Sequence, residues 1–339
     1  MIEVVDLFKY YGDTRAAGPL SFSIDRGEIV GLLGLNGAGK TTALRILACD
    51  VLPSSGKVTV DGLDVVDQPH EVRRRIGYLP DTPPLYGEMT VREYLVFAGR
   101  LRGMNAAGAQ RAAASVEESV ELTEVRDDLI ASLSHGFRQR VGIAQAIVHK
   151  PQLLILDEPI TGLDPVQIIE MRQLLRQLRA EHTIVLSSHI LTEISETCDR
   201  ILVLRAGEIV AAGSESDLSR DMLGPMQIEV SVRPPAAVAP ERVHQLLHEV
   251  DAVSRVDRIA PREPGPGVVT FRVEAGRDVR EALSRALVES GVGILEIVRN
   301  RRELESIFLR LTGDHEPSRV SRPAVPGAGE TPRAGGPPS

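Results

Sequence analysis

Residues Gly34 to Thr42 read Gly-Leu-Asn-Gly-Ala-Gly-Lys-Thr-Thr and fit the pattern G-x-x-x-x-G-K-[ST] directly behind the apolar run of residues 28–33. Such a loop needs a strand on one side and a helix on the other, so it commits the chain to an α/β core. Gly34, Gly37 and Gly39 are expected to adopt unusual backbone angles that turn successive N–H groups inward around phosphate oxygens, with Asn36 and Ala38 completing the loop. Lys40 is expected beside the β- and γ-phosphates, and the Thr41 hydroxyl is suited to Mg²⁺. Thr42 opens a helical stretch, residues 42–48, whose positive N-terminus also favours phosphate.

With 339 residues the chain has room for about two domains, and 42% hydrophobic with 25% charged residues is ordinary for a folded protein. A net charge of -8 argues against a general nucleic-acid surface, so no nucleic-acid partner is expected. No run approaches about 18 consecutive apolar residues, and the N-terminus lacks a basic stretch followed by a signal core. The chain is therefore expected neither to span a membrane nor to enter the secretory route. Cys49 and Cys198 lie far apart and form no metal-ligand pattern, which suits reduced, partly buried thiols in a cytosolic protein.

Up to about residue 218, short β-branched runs alternate with helical patterns. Strands are predicted at 2–7, 28–33, 57–60, 153–157, 183–187, 200–204 and 208–212, and helices at 91–101, 106–122 and 137–149. Residues 226–312 read as a small α+β domain: strand 227–232, helix 240–249, strand 253–259, strand 268–273, helix 277–289 and strand 293–299, then a short helix at 303–311. That order is the split β-α-β-β-α-β, ferredoxin-like arrangement, with residues 261–267 as the hairpin loop. Residues 313–339 are Pro/Gly/Ala-rich and read as a disordered tail.

A phosphate loop alone leaves kinases, GTPases and many ATPases open. The narrowing feature is Leu153-Leu-Ile-Leu-Asp157-Glu158-Pro159, four aliphatics suited to a buried parallel strand with two carboxylates at its end. Asp157 is placed to hold a magnesium shell, and Glu158 to face an attacking water as general base.

Between these motifs stands Leu133-Ser134-His135-Gly136-Phe137-Arg138-Gln139-Arg140. On these residues the chain, over about residues 2–212, resembles the nucleotide-binding subunits of ATP-binding cassette (ABC) transporters, whose signature is usually LSGGQ followed by RQR. The resemblance implies a P-loop ATPase core with a mixed sheet and a helical subdomain at about 82–145, within a domain at 1–218. It also implies ATP and Mg²⁺ as cofactors. Two such domains pair head to tail, so the partner is a second copy or a similar ATPase subunit. Ser134 would then offer a hydroxyl, and Gly136 a backbone N–H, to the γ-phosphate on that partner. His135 and Phe137 depart from the signature, which leaves open the side-chain contacts of those two positions.

Other positions carry over in the same way. Tyr11 matches the aromatic residue on which adenine stacks, with Tyr10 a competing candidate. Asp164, in Thr161-Gly-Leu-Asp164, matches the loop bridging two subunits, and His189 the histidine that contacts the γ-phosphate. Asp81 stands where most of the family has glutamine; it can face the metal through water but should repel the γ-phosphate when magnesium is absent. Leu85, Tyr86 and Met89 suit either contact with a membrane subunit or the core of the helical subdomain. The implied function is ATP hydrolysis powering transport through a separately encoded membrane permease, on the cytoplasmic face of the membrane. The export-type subgroup, including gliding-motility, drug-resistance and sodium-export ATPases, is the nearest in domain layout. A non-transport ATPase of translation or DNA repair is the alternative; one phosphate loop and only about fifty residues between Asp81 and Ser134 speak against it.

Overall fold

The computed structural model describes residues 1–218, 226–235, 238–261 and 265–299. The chain opens with β1 (Ile2–Tyr11), β2 (Thr14–Ile24) and β3 (Ile29–Leu33), followed by α1 (Lys40–Leu47), β4 (Ser55–Val60) and β5 (Leu63–Asp64). Strands β2, β1, β4 and β5 form an antiparallel sheet in that order. The strand β2 is not among those predicted from the sequence, and Gly18-Pro19 stands within it. Proline lacks a donor and is tolerated at a sheet edge, which is where β2 lies.

Next come α2 (Pro69–Arg75), β6 (Ile76–Leu79), α3 (Val91–Leu101), α4 (Ala106–Ser119), α5 (His135–Ile147), β7 (Leu153–Leu156) and α6 (Pro165–Leu178). The series continues through β8 (Thr183–Ser188), α7 (Leu191–Ser195), β9 (Arg200–Arg205) and β10 (Glu208–Gly213). A six-stranded sheet runs β10-β9-β3-β8-β7-β6. Its inner strands pair in parallel and β10 closes one edge antiparallel, giving the expected mixed sheet.

Side-chain alternation along the strands divides two cores. Ile29, Leu33, Leu154, Leu156, Ile184 and Leu186 face a helical layer that contributes Leu95 of α3, Val141 of α5 and Leu175 of α6. Val30, Leu32, Leu153, Ile155 and Val185 face α1 and the antiparallel sheet, through Leu44, Leu47, Ile2 and Val4. Helix boundaries follow their caps. Ser134 accepts from the Phe137 N–H and starts α5 two residues before the predicted position. Helix α4 stops at Ser119, short of the predicted 122, as the chain turns through Glu121 at φ +58°.

The C-terminal unit contains β11 (Met226–Arg233), α8 (Pro240–His248), β12 (Val253–Ile259), β13 (Val269–Ala275), α9 (Arg280–Glu289) and β14 (Gly293–Arg299). Its antiparallel sheet has the order β12-β13-β11-β14, the split arrangement read from the sequence. Val243 and Leu247 of α8 and Leu283 and Leu287 of α9, each an i, i+4 pair, share a core with Val230, Phe271 and Val273. The expected helix at 303–311, the expected tail at 313–339 and residues 262–264 of the expected hairpin loop lie outside the described residues.

Just after α5, His149 Nε2 lies 2.9 Å from the Ile76 carbonyl oxygen, and Nδ1 is buried without a hydrogen-bond partner. That arrangement suits the neutral ring with its proton on Nε2. Burial, reinforced by the charge of Arg102, pushes the His149 pKa down to about 4. The unfolded chain takes up this proton near pH 6.5, so stability is complete above that pH and is lost as pH falls toward 4. The expected loss is up to about 1.4 kcal/mol per pH unit in that window. Urea titrations of the parent and His149→Gln should therefore give a stability difference that varies between pH 7 and 5. A constant difference contradicts the assignment.

Candidate functional site

The loop between β3 and α1 closes tightly on itself. Gly37 and Gly39 have φ of +83° and +99°, and Gly39 caps α1 from the left-handed region, where a side chain is strained. Gly34 departs from the expectation, since its backbone is not in that region. Glycine is needed there by close approach: a Cβ would lie 2.6 Å from the Leu204 carbonyl oxygen and 2.9 Å from Ala38 Cβ. Lys40 is 5% exposed; its Nζ donates to the carbonyl oxygens of Gly34 at 2.7 Å and Leu35 at 3.4 Å. Thr41 and Thr42 follow in the first turn of α1.

Strand register brings the second half of the site beside this loop. Leu33 pairs with Ser188 and Leu156 with Leu186, so Gly34, Ser187 and Asp157 emerge together at the carboxyl ends of β3, β8 and β7. Crevices at such strand ends are where open α/β sheets bind ligands. Ser187 Oγ donates to Asp157 Oδ1 at 2.6 Å and accepts from the Glu158 N–H at 2.9 Å.

Asp157 is fully buried, and its Oδ2 has no hydrogen-bond partner. Burial pushes its carboxyl pKa up; hydrogen bonds from Ser187 and Thr41 oppose this, and the negative charges of Asp81 and Glu158 add to it. Thr41, Asp81 and Asp157 line one open cleft of about 900 Å³. An unpartnered carboxylate oxygen, a hydroxyl and a second carboxylate fit a hard cation such as Mg²⁺. Among the described residues no cluster of three or more His, Cys, Asp or Glu could hold a metal by itself. That donor set suits an ion whose remaining ligands are phosphate oxygens and water.

Glu158 follows at φ +51°, a left-handed conformation uncommon for a side-chain-bearing residue. Its Oε2 accepts from Thr161 Oγ1 at 2.8 Å and lies 2.9 Å from His189 Nδ1, while Oε1 lies 3.3 Å from Lys40 Nζ. Burial works to raise this carboxyl, but Thr161, His189 and Lys40 together hold it below the usual carboxylate range. Adjacent carboxylates are thus driven in opposite directions.

The remaining candidates occupy other places. Tyr10 stacks on Phe8 with centroids 6.4 Å apart, whereas Tyr11 is 47% exposed with Lys9 Nζ 4.9 Å from its ring centroid. Ser134 and Asp164 cap the adjoining starts of α5 and α6, and a Cβ on Gly136 would meet the Gln167 side chain at 2.8 Å. Phe137 packs against the main core. Leu85 and Met89 also pack on that core, while exposed Tyr86 makes edge contacts with Tyr94 and Phe97. Sequence reasoning gave no role to Ser187 or Thr161, which hold the two carboxylates. The signal was available only in the hydroxyls next to motifs already recognised.

Residues 17–161 match the ABC transporter family. The chain is 32% identical to a bacitracin transport ATP-binding protein of Bacillus licheniformis, over 92% of this chain and 97% of that protein. It is 35% identical to the Nod factor export ATP-binding protein I of Rhizobium etli, over 92% of this chain and 93% of that protein. A dimeric ATP-binding cassette in a post-hydrolysis state with ADP and Pi superposes with TM-score 0.58 and 26% identity, covering 63% of this chain and 98% of the cassette.

Ser187→Ala removes a donor from buried Asp157 and an acceptor from the Glu158 N–H. The expected cost is about 1–3 kcal/mol, read as a lowered midpoint in denaturant unfolding. A variant as stable as the parent contradicts the account of Asp157.

Proposed function

The chain belongs to the ABC transporter family, and on that premise we propose that Glu158 is the general base of an ATP hydrolysis site completed by a second copy. As a member of the family's ATP-binding subunits, the protein is an ATPase. The observation that carries the proposal is the Glu158 carboxylate, held ionised by Thr161, His189 and Lys40 beside buried Asp157.

In this reading Tyr11 stacks on adenine, and the backbone of residues 34–39 with Lys40, Thr41 and Thr42 receives the phosphates. Asp157, Thr41 and Asp81 would hold Mg²⁺, which supplies charge neutralisation at the β- and γ-phosphates. Glu158 accepts a proton from the attacking water, and His189, on the same carboxylate, fixes its orientation and reaches toward the γ-phosphate. Ser134 and Gly136 of a second copy cover that phosphate, and Asp164 lies in the loop between the subunits. ATP draws the two copies together, and hydrolysis lets them part.

Among the described residues no helix is long and apolar enough to cross a membrane. On the strength of the family, we assign membrane passage to a separately encoded permease, with this subunit peripheral on the cytoplasmic face. Relatives named for bacitracin transport and Nod factor export support an export-type assignment. The proposed division into an ATP-binding domain at 1–218 and a small domain at 226–312 is supported, over the described residues up to 299, by their separate cores.

Glu158→Gln is expected to lower phosphate release by about 10²–10⁴-fold while keeping ATP binding. Size-exclusion chromatography with Mg-ATP should show a dimer that the variant retains and the parent loses. A variant that turns over normally contradicts the assignment.

Asp81 brings a further negative charge to the cleft, so chelating Mg²⁺ with EDTA should weaken ATP binding by more than about tenfold. Asp81→Gln should narrow that ratio. Equal affinity of the parent with and without EDTA contradicts the role of Asp81.

A further inference from the structure

Position 135 carries histidine where the family signature has glycine, and its exposed ring has a defined partner. Nε2 lies 3.2 Å from the Thr161 carbonyl oxygen. The Thr161 hydroxyl in turn donates to Glu158 Oε2 at 2.8 Å, and the Thr161 N–H bonds the Glu158 carbonyl oxygen at 3.3 Å. An unbroken chain of contacts thus joins the start of α5 to the Glu158 carboxylate. Two glycines permit it. Gly162, at φ +77°, leaves room for the ring, since a Cβ there would lie 3.3 Å from His135 Nε2. Gly136 lets α5 press against Gln167 of α6. Glycine at position 135 would have no side chain with which to make this tie.

We propose that His135 is a positioning residue for hydrolysis. Its Nε2–H donates to the Thr161 carbonyl and fixes the residue whose hydroxyl aims Glu158. The proposal rests on the ATPase reading above. Under that reading Ser134 and Gly136 meet nucleotide on a second copy, so their neighbour His135 links that contact to the base of its own chain. The segment that closes over one nucleotide therefore helps to set the geometry of hydrolysis at the other.

The test compares kcat and KM for ATP in the parent, His135→Ala, His135→Gln, Thr161→Val and the His135→Ala/Thr161→Val double variant. His135→Ala should lower kcat about three- to tenfold, the effect of one lost hydrogen bond, with KM within about twofold of the parent. His135→Gln, which retains a donor for the same carbonyl, should recover most of the loss. The double variant should be no slower than Thr161→Val, because effects routed through one hydroxyl do not add. The exposed ring should leave the thermal midpoint unchanged.

Unchanged kcat in His135→Ala, no recovery in His135→Gln, fully additive losses, or a loss that merely tracks unfolding would each overturn the proposal. These outcomes in an active parent defeat this link alone. An inactive parent defeats the ATPase reading and this link together.

Discussion

Parallel pairing of β3 with β8, and of β8 with β7, is the constraint on which the site depends. The phosphate loop, the Asp157-Glu158 pair and His189 each leave one of these strands at its carboxyl end. A one-residue slip of β7 against β8 would move Asp157 off Ser187 and turn its aliphatics to the opposite faces. Burial on both faces of the sheet opposes such a slip, because Leu153 and Ile155 serve one core while Leu154 and Leu156 serve the other. The cores that hold the fold together therefore also hold the chemistry in register.

Electrostatics then drives the adjacent acids Asp157 and Glu158 in opposite directions. Asp157 is enclosed with one oxygen bonded and one unpartnered, which keeps its charge costly until a cation meets it. Glu158 is nearly as enclosed but has a hydroxyl, an imidazole and an ammonium around it. In the proposed reading, that difference separates a metal ligand from a base. Lys40 connects the two halves, since it binds the loop's own carbonyl oxygens and faces Glu158.

Much of this was legible in the sequence wherever the physics is local. The phosphate loop, the run of aliphatics ending in two acids, and the alternating strands of the C-terminal unit all announce themselves within a few residues. Strand β2 did not, because Gly18-Pro19 reads as a break until the strand is known to be an edge. Helix α6 is not among the predicted helices although Asp164 before Pro165 is a start signal, and Asp164 does accept from the N–H groups of Val166 and Gln167. Gly34 is required by close approach to the Leu204 carbonyl, a neighbour distant in sequence, and not by its backbone angle. Ser187 bonds Asp157 from another strand, and His135 at the start of α5 meets the Thr161 carbonyl in the loop before α6. Pairings of that kind exist only once the sheet is assembled.

The central claim is that each catalytic site is shared between two copies, with the phosphate loop from one and Ser134 from the other. Mixing Lys40→Ala with Ser134→Arg tests it directly, because each variant alone spoils both sites of its own dimer. A mixed dimer restores one site from the intact loop of the Ser134→Arg chain and the intact Ser134 of the Lys40→Ala chain. Random pairing makes half the dimers mixed with one of two sites working, so about a quarter of the parent's phosphate release should return. A mixture as inactive as its components contradicts a shared site.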